Sequence, residues 1–383
     1  MKILFTCGGT AGHINPALAV AGLLRVRHPH AEILFVGADG GMECDLVPRA
    51  GYRIQTVSIR SLRHRLTPAA LWYNLKVLGG LTGSLRAAGR ILDAFKPDAV
   101  LGTGGYASFP VVYAASRRSI PSVVHESNAL PGLTTKLLAR RADRVLVSFP
   151  EAVSAYRRPD RVAVTGTPVR QAFLETDRDA ARRALGLDER PVVLSYFGSL
   201  GARDMNRHMV DFIRRESEAG AFQHLHVTGR FGWAWVPEAV REAGVELTAH
   251  PEIRLSEYLY DMPTAMAAAD LLITRAGAST LAELTAVGKP AILIPSPNVT
   301  GNHQEQNARM LARHGAAVLL PESACGDGAL FSAANSLLRE NAKREAISAR
   351  LRDLAILDAA EKIYHIVMSL VAKRSAYGPS EKI

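Results

Sequence analysis

The stretch Leu271-Leu-Ile-Thr-Arg-Ala-Gly-Ala-Ser-Thr-Leu-Ala-Glu-Leu284 starts as an apolar run, breaks into small residues and continues with the spacing of a helix. Gly277 lets the backbone turn sharply and lets a ligand approach it closely. Ala278, Ser279 and Thr280 leave the free N–H groups of the helix start uncovered, which is what a phosphate group needs. The stretch therefore predicts a strand, an anion-binding turn and a helix.

The same residues also allow a purely structural interpretation. Thr280 and Glu283 have the spacing of a capping box, in which the two residues satisfy each other's backbone N–H groups. The flanking sequence favours a ligand site, because Gly288-Lys-Pro290 ends the helix and residues 291–295 read as the next buried strand. A polar loop follows and brings three hydrogen-bonding side chains: His303, Gln304 and Asn307. Polar groups are thus expected to cluster at one edge of a sheet.

The composition bounds the classes of protein to which this chain can belong. Its 383 residues are comfortable for two domains, and an apolar fraction of 48% supports large cores. The 46 Lys and Arg against 36 Asp and Glu give a formal net charge of +10, which favours phosphates, nucleic acid or an acidic membrane face as partners. Nucleic acid ranks low, because 6% aromatic residues offer no evident stacking platform and no zinc-finger spacing is present.

Cysteine spacing and the terminal sequence favour the cytosol. Cys7, Cys44 and Cys325 form no Cys-x-x-Cys pair, so neither a disulfide framework nor a zinc site is predicted. Asp177-Arg-Asp179 resembles a metal-binding pair, but an acidic helix start explains it better, and no metal site is expected. The N-terminal apolar run is too short for a secretory signal and no segment reaches the length of a membrane span, which predicts a soluble or peripheral protein.

A second glycine-rich turn follows the first predicted strand. Residues 2–7 read as a buried strand, Gly8-Gly-Thr-Ala-Gly-His13 follows at once, and a helix opens near Pro16. The spacing matches neither G-x-G-x-x-G nor the Walker pattern, so this is a different phosphate-friendly turn. His13 lies just beyond the carboxyl end of a strand, where α/β sheets bind ligands, although a lone His can also merely orient a loop. Both interpretations stay open.

The pattern of strand, turn and helix recurs along the chain and restarts in its second half. Further strands are predicted at residues 31–36, 52–57, 98–106, 122–128, 144–148 and 192–197. A glycine turn follows the last of these, and a helix is expected from Asn206. Residues 162–170 change register with a Gly and a Pro, which places the domain linker there. Alternating strands and helices imply parallel sheets, so two similar α/β domains are expected to face each other across a cleft.

One predicted helix in the first half carries a row of apolar side chains. Three leucines recur at i, i+4 and i+7: Leu71, Leu75 and Leu78. Trp72 lies beside them. The default interpretation is a helix that faces the core. The alternative is a helix that dips into a membrane surface, with attraction to anionic lipid from three basic neighbours: Arg63, Arg65 and Lys76.

Six motifs, in the same order from residue 3 to about residue 310, together resemble the MurG family. They are Gly8-Gly-Thr-Ala-Gly-His-Ile-Asn-Pro-Ala-Leu-Ala19, Gly104-Gly-Tyr106, His125-Glu-Ser-Asn128, Gly166-Thr-Pro-Val-Arg170, Arg275-Ala-Gly-Ala-Ser-Thr280 and His303-Gln304. That family transfers N-acetylglucosamine from UDP-GlcNAc to the 4-hydroxyl of undecaprenyl-pyrophosphoryl muramyl-pentapeptide in peptidoglycan synthesis. The resemblance covers both predicted domains, which makes it more specific than any single motif.

The resemblance implies the GT-B fold, with two Rossmann-like doubly wound domains that face a central cleft, and an inverting, metal-independent reaction without a cofactor. Residues 1–166 would bind the acceptor and the membrane, and residues 167–357 would bind the donor. A C-terminal helix from about 358 to 383 would pack back on the first domain. The implied location is the cytoplasmic face of the cell membrane, on an anionic surface, with other cell-wall synthesis proteins as further partners and no nucleic acid.

Site residues carried over from the resemblance fall into three groups. The implied donor-binding residues are Thr10, Gly12, Asn128, Arg170, Ser199, Leu259, Ala278, Ser279, Thr280, Glu283, His303 and Gln304. The implied acceptor-binding residues are Gly9, Gly104, Gly105 and Tyr106. In the donor group Thr280 would lie near the diphosphate, Glu283 on the ribose and Gln304 on the sugar. The general base is either His13, favoured by its near-neutral intrinsic pKa, or Glu126.

Two residues depart from the pattern of the resembled family. Where that family usually reads Gly-Gly-Ser-Gln-Gly-Ala, this chain reads Phe-Gly-Ser-Leu-Gly-Ala, with Phe197 and Leu200 at the two differing positions. These departures keep open a binding homologue without activity. A UDP-sugar 2-epimerase is a second alternative because some epimerases share the two-domain fold, and another glycolipid glycosyltransferase is the third.

Overall fold

The computed structural model describes residues 1–61, 67–299 and 302–377, and the chain folds as two units. One unit holds Met1–Arg170 together with Ile356–Ile383, and the other holds Gln171–Ala355. The boundaries expected from the sequence, after residues 166 and 357, fall four and two residues from these divisions. Each unit has a parallel sheet of its own.

Seven parallel strands form the sheet of the first unit. They are β1 (Lys2–Thr6), β2 (Glu32–Ala38), β3 (Arg53–Val57), β4 (Ala99–Gly102), β5 (Ser122–Glu126), β6 (Arg144–Val147) and β7 (Val162–Val164). The helices of this unit are α1 (Ala11–Arg27), α2 (Glu43–Arg49), α3 (Pro68–Phe95), α4 (Ser108–Arg117), α5 (Leu133–Leu138) and α16 (Ala359–Tyr377), with 3₁₀ turns at Pro150–Ala155 and Pro159–Arg161. The strands read as apolar runs because helices cover both faces of a parallel sheet.

Six parallel strands form the sheet of the second unit. They are β8 (Val192–Tyr196), β9 (Gln223–Val227), β10 (Ile253–Ser256), β11 (Leu271–Thr274), β12 (Ala291–Leu293) and β13 (Val318–Leu319). The helices are α6 (Ala172–Glu175), α7 (Arg178–Ala184), α8 (Arg203–Ala219), α9 (Arg230–Trp233), α10 (Val236–Glu242), α11 (Met262–Ala268), α12 (Ala278–Val287), α13 (His303–Arg313), α14 (Ala329–Arg339) and α15 (Asn341–Leu354). Asp177 caps α7 through the N–H of Ala180 at 2.8 Å, as predicted for an acidic helix start. The helix predicted from Asn206 begins three residues earlier, at Arg203.

Both sheets have the same doubly wound order. The first runs β3-β2-β1-β4-β5-β6-β7 and the second runs β10-β9-β8-β11-β12-β13, so the prediction of two Rossmann-like domains is confirmed. In such sheets ligands bind beyond the carboxyl ends of the strands, where the strand order reverses. This point lies between β1 and β4 in the first sheet and between β8 and β11 in the second.

Helix α16 returns to the first unit and packs against α1. Ile363 and Val367 are buried in the same apolar core as Leu24. Arg27 and Glu361 add an ion pair between the two helices at 2.6 Å. The last described helix of the chain therefore completes the core around the first strands.

The start of α12 decides between the two interpretations of its turn. The helix begins at Ala278, and the N-cap residue is Gly277, which has no side chain with which to cap it. Thr280 is the third helical residue rather than the N-cap, so the capping box is wrong as an account of Thr280 and Glu283. The physical reason is that β11 ends at Thr274, which leaves only three residues for the chain to turn before the helix starts.

The default interpretation of the apolar row on α3, a helix face turned to the core, is wrong for the described side chains. The side chains of Leu71, Trp72 and Leu75 are 65%, 62% and 60% exposed. The 3.6-residue period identified residues that share a helix face, but that face points to solvent. The ammonium of Lys76 lies 3.4 Å from the centroid of the Trp72 ring. The remaining members of the predicted patch, namely the Leu78 side chain, Arg63 and Arg65, lie outside the described residues.

A row of four buried polar side chains runs from β8 and β9 of the second sheet to helix α8. The Oγ of Ser195 lies 2.8 Å from Nε2 of His224 and 2.7 Å from Nδ1 of His226. On the far side, Nδ1 of His224 lies 3.0 Å from Oε2 of Glu216. Burial lowers the pKa of each histidine to about 3 and raises the pKa of Glu216 to about 9, the latter with help from the charge of Glu252. The four buried side chains are therefore uncharged at neutral pH.

Candidate active site

Two glycine turns meet at the switch point of the first sheet. Gly105, which follows β4, has φ of +76°, and a Cβ there would lie 2.1 Å from the carbonyl oxygen of Gly8 after β1. Gly104, with φ of +100°, is restricted in the same way. Only glycine tolerates both the left-handed backbone and this close approach. The motifs Gly8-Gly9 and Gly104-Gly105, far apart in sequence, thus form one surface.

His13 lies against this surface in the first turn of α1. A Cβ on Gly104 would be 2.8 Å from Nδ1 of His13, so the imidazole packs directly on the glycine backbone. The Thr103 hydroxyl donates to the carbonyl oxygen of His13 over 2.5 Å and fixes its backbone. The ring of Tyr106 covers Gly9, at 3.3 Å from the position of a Cβ. The structure therefore brings His13 together with all four predicted acceptor-binding residues.

Two predicted donor-binding residues lie at the start of α1. Thr10 is exposed and has the extended backbone of a helix N-cap, with φ of −144°. Gly12 is the second residue of the helix. Both are next to His13 in the chain, and they belong to the first unit.

The end of β5 supplies the other candidate base. The Oε1 of Glu126 accepts hydrogen bonds from the backbone N–H of Asn128 at 3.0 Å and from its Nδ2 at 2.9 Å, and Oε2 accepts from the N–H of Gly132 at 2.9 Å. The Glu126 side chain is also buried. Because three N–H groups occupy this carboxylate, it holds the loop that carries Asn128. This arrangement favours His13 over Glu126 as the group that accepts a proton.

His125 anchors the same strand end from the opposite face. It is fully buried, and its Nε2 lies 2.8 Å from the carbonyl oxygen of Gly166. Burial lowers the pKa of His125, so the neutral ring donates its Nε2–H to that carbonyl. This bond joins the end of β5 to the Gly166 motif after β7.

Sequence reasoning missed one buried residue at this site, Glu43. Its Oε1 accepts from the N–H of Ala38 at 2.8 Å, and Oε2 accepts from the N–H of Gly9 at 3.3 Å. A Cβ on Gly8, or on the glycines at positions 37 and 41, would lie within 2.4 Å of the Glu43 side chain. A signal was available, because an acid lies two residues after Gly41, the end of the predicted glycine turn after β2. Its partner, the turn after β1, could not be identified from sequence spacing.

Two glycine turns also meet at the carboxyl edge of the second sheet, one after β8 at the switch point and one after the neighbouring strand β9. Gly201 has φ of +79°, and a Cβ there would lie 2.2 Å from the carbonyl oxygen of Thr228. Backbone bonds tie the turn to α9, with the N–H of Arg230 donating to the carbonyl oxygen of Ser199 over 3.1 Å. Ser199 is half-buried and Leu200 is 51% exposed. The turn that holds Ser199 is therefore rigidly supported from the neighbouring strand.

The turn after β11 carries the largest group of predicted donor-binding residues. They are half-buried and lie in the first two turns of α12: Ala278, Ser279, Thr280 and Glu283. The buried amide of Asn307 donates to the carbonyl oxygen of Ala276 over 3.1 Å and thereby holds this turn from α13. The helix start at Ala278 therefore presents backbone N–H groups at the sheet edge, where an anion can bind.

The remaining predicted residues occupy neighbouring positions. His303 and Gln304, expected in a loop, instead begin α13, and Oε1 of Gln304 accepts from the N–H of Ser296 at 2.9 Å. Leu259 is half-buried in the loop between β10 and α11. Arg170 is exposed and is the last residue of the first unit before the chain enters the second. Within the described residues, no group of three or more His, Cys, Asp or Glu is placed to hold a metal ion.

Two doubly wound parallel sheets, each with a glycine turn at its switch point, have the architecture of the GT-B fold. Residues 3–147 match the glycosyltransferase family 28 N-terminal domain, and residues 192–363 match the family 28 C-terminal domain. The chain belongs to the family of UDP-N-acetylglucosamine–N-acetylmuramyl-(pentapeptide) pyrophosphoryl-undecaprenol N-acetylglucosamine transferases, as identity to its curated relatives shows.

A relative of that name from Acetivibrio thermocellus is 39% identical over 377 residues, which cover 98% of this chain and all of the relative. Another from Desulforamulus reducens is 38% identical over 375 residues, again 98% of this chain and all of the relative. The crystal structure of Acinetobacter baumannii MurG aligns with a TM-score of 0.72 at 25% identity, over 96% of this chain and 99% of that one.

Proposed function

We propose that this protein transfers N-acetylglucosamine from UDP-GlcNAc to the 4-hydroxyl of lipid-linked N-acetylmuramyl-pentapeptide, in peptidoglycan synthesis. The observation that carries the proposal is the 39% identity over 98% of the chain to a relative with that name. The two glycine-turn surfaces add support, because such a transfer needs one surface for the nucleotide and one for the acceptor.

In the proposed donor site, the diphosphate of UDP-GlcNAc lies at the N-terminus of α12. The N–H groups from Ala278 to Thr280 and the helix dipole favour negative charge there. Glu283, one turn further on, takes the ribose hydroxyls, and the backbone at Leu259 takes the uracil. Ser199 adds a hydroxyl from the neighbouring turn. The sugar is held from α13 by His303 and Gln304.

In the proposed reaction, His13 removes the proton from the 4-hydroxyl of the acceptor. The freed oxygen forms a bond to C1 of N-acetylglucosamine, the bond from C1 to the phosphate oxygen breaks, and UDP leaves with the electron pair. Attack from the face opposite UDP inverts the configuration at C1. The acceptor rests on Gly9, Gly104, Gly105 and Tyr106. Glu126 holds the loop of Asn128, and Arg170 adds positive charge for the departing UDP.

We further propose that the protein acts at the cytoplasmic face of the membrane, to which its acceptor is anchored. The exposed face of α3, with Leu71, Trp72 and Leu75, is the apolar part of the contact. The same helix continues into exposed Arg86 and Arg90, which with Arg118 line a surface depression of about 440 Å³. None of the helices in the described residues is long and apolar enough to cross a bilayer.

A transfer assay tests the function directly. The full-length protein is incubated with UDP-GlcNAc and a shortened-chain lipid-linked muramyl-pentapeptide, and product linkage and UDP release are measured together. We expect a β-1,4-linked disaccharide product and one UDP per transfer. A His13→Ala variant provides the matched inactive control. Release of a 2-epimer without acceptor, or donor binding without transfer, would contradict the proposal and favour the epimerase or the binding homologue.

A further inference from the structure

Arg275 is held from three sides at the turn between β11 and α12. Its Nη2 forms an ion pair with Oε2 of Glu322 at 2.5 Å, and its Nη1 donates to the carbonyl oxygen of Ile294 over 3.1 Å. The guanidinium carbon lies 5.8 Å from the centroid of the Phe197 ring. The Arg275 and Glu322 side chains are only 11% and 15% exposed. One largely buried cation thus has three different kinds of partner.

These partners come from three neighbouring strand ends. Phe197 directly follows β8, Ile294 directly follows β12, and Glu322 lies three residues beyond β13. Together with β11, which carries Arg275, four adjacent strands are joined at the carboxyl edge of the sheet. A guanidinium withdrawn this far from water requires a carboxylate and hydrogen-bond acceptors around it. Glu322 and Ile294 meet that requirement and allow the cation to stay at the edge.

Phe197 has an unusual place in this arrangement. Its ring is buried, 4% exposed, with the Arg275 guanidinium 5.8 Å and the His226 ring 6.3 Å from its centroid. An arginine is attracted to the face of an aromatic ring within about 6 Å. The ring therefore fills space that glycine would leave open and limits the orientations available to Arg275.

We propose that Glu322 and Phe197 are positioning residues that hold the Arg275 guanidinium in one orientation beside the α12 N-terminus. The inference rests on the proposed function, in which the nucleoside diphosphate leaves from that helix start. Arg275 is two residues before the N-cap Gly277, so it belongs to the turn that leads into this helix start. A cation that is already oriented stabilises the charge of the departing diphosphate without reorganising during the reaction.

Kinetics of single variants give the first test. Glu322→Gln removes the ionic partner at similar shape, and Phe197→Leu removes the ring face. Each is expected to lower kcat about tenfold, at the lower end of what supporting residues contribute, and to change KM for UDP-GlcNAc by less than about threefold. A merely structural role would instead lower Tm and the folded fraction, with kcat per folded molecule unchanged.

Matched controls use the same substitutions away from Arg275. Glu252 is 13% exposed and pairs with His250 at 3.0 Å, so Glu252→Gln also removes one carboxylate from a partly buried ion pair. Phe331 packs against Phe212 with ring centroids 5.5 Å apart, so Phe331→Leu also removes one packed ring. Both control variants are expected to keep the kcat of the parent.

A double-variant cycle tests whether the effects pass through Arg275. In an Arg275→Lys background, adding Glu322→Gln or Phe197→Leu is expected to cause no further loss of kcat, because the group being positioned is gone. If Arg275→Lys does not fold, the cycle between Glu322→Gln and Phe197→Leu replaces it, and the double variant is expected to be no slower than the slower single variant. Parent-like kcat in both single variants, or additive losses in the cycle, would overturn the inference. Absence of transfer by the parent would instead overturn the proposed function.

Discussion

Gly9 donates its backbone N–H to Oε2 of Glu43, 34 residues further along the chain, over 3.3 Å. The other oxygen of the same carboxylate accepts from the N–H of Ala38 at 2.8 Å. One buried side chain therefore connects the turn after β1, which carries the proposed acceptor surface, to the turn after β2. The position of Gly9 therefore depends on a glutamate that lies outside the glycine-rich motif of residues 8–13.

Glu43→Gln is expected to reduce both stability and acceptor binding. The amide of Gln has a single oxygen, so it can accept a hydrogen bond from only one of the two backbone N–H groups. Its NH₂ group then faces the other N–H, and two donors are left opposite each other. We expect the free energy of unfolding to fall by about 1–3 kcal/mol, the usual effect of an unsatisfied buried group. KM for the lipid acceptor is expected to rise more than KM for UDP-GlcNAc. Urea unfolding and transfer kinetics on one preparation measure both effects.

The control for this variant is Glu32→Gln. Glu32 pairs with Lys2 at 3.0 Å on the surface, and its side chain is 57% exposed. Its substitution is expected to change stability by less than about 0.5 kcal/mol. Equal stability losses in the two variants, or none in either, would show that Glu43 does not organise the turn.

Glu283→Ala is expected to weaken donor binding much more than it lowers stability. Because α12 starts at Ala278 and not at Thr280, the substitution removes no cap. We therefore expect a stability change below the roughly 1 kcal/mol that a lost cap costs, and a rise in Kd for UDP-GlcNAc of about tenfold, as for one lost charged hydrogen bond. Calorimetric titration and thermal unfolding are the measurements. Unchanged affinity with a large fall in Tm would return Glu283 to a structural role. The control is Glu238→Ala, which removes a 55% exposed carboxylate from α10.

Sequence was sufficient for central strands such as residues 271–274, because these are short apolar runs buried on both faces. It did not predict the partly buried strands β7, β10 and β13, nor β9, in which Gln223, His224 and His226 are buried polar residues. It could not decide the role of Thr280, because the same letters fit an N-cap and a third helical residue. The choice depends on where β11 ends and how few residues remain for the turn. Glu43 was missed for a related reason: the spacing within a chain does not tell which turns from different strands meet.

The apolar row on α3 shows a different limit. Leu71 and Leu75 recur at a helical period, and the period correctly indicated one shared face. It contains no information on whether another element covers that face, which depends on tertiary packing. The exposed face could be recognised only when the positions of the neighbouring helices were known.

Glu216→Gln is expected to change how stability depends on pH. The pKa of Glu216 is about 9 in the folded protein, against an ordinary value of 4.5, because burial disfavours the charge. Between these pH values the folded protein holds a proton that the unfolded chain has released, so stability falls as pH rises, by at most about 1.4 kcal/mol per pH unit. Gln keeps a donor toward Nδ1 of His224 without a titrating proton, so this fall should disappear.

Urea unfolding from about pH 7 to about pH 9 measures the slope of stability against pH. This range lies above the ordinary histidine pKa, so His224 and His226 stay neutral in both the folded and the unfolded state. Glu218→Gln is the control on the same helix, since Glu218 is 64% exposed and pairs with Arg214 on the surface. Parallel stability curves for the parent and Glu216→Gln would mean that Glu216 is ionised in the folded protein.

Transfer is expected to continue in EDTA. In the proposed reaction the charge of departing UDP is met by the N-terminus of α12, by the Ser199 hydroxyl and by Arg170, all supplied by the chain itself. Initial rates are measured after dialysis against the chelator, with and without added magnesium. Equal rates are expected. Loss of turnover that a divalent ion restores would contradict this prediction.

The exposed face of α3 is expected to supply the part of membrane binding that resists salt. Burying a leucine or a larger side chain is worth about 1.5–3 kcal/mol, so replacing Trp72 and Leu75 together by Ser should weaken partition tenfold or more. Replacing Arg86 and Arg90 together by Ala should remove mainly the attraction to anionic lipid, which salt screens over about 10 Å at roughly 0.1 M. Sedimentation with anionic liposomes across a salt series separates the two contributions.

Trp233→Ser, which removes a 42% exposed tryptophan of the second unit, is the control and should bind like the parent. If both double variants fold and bind at every salt concentration as the parent does, α3 is not the membrane contact.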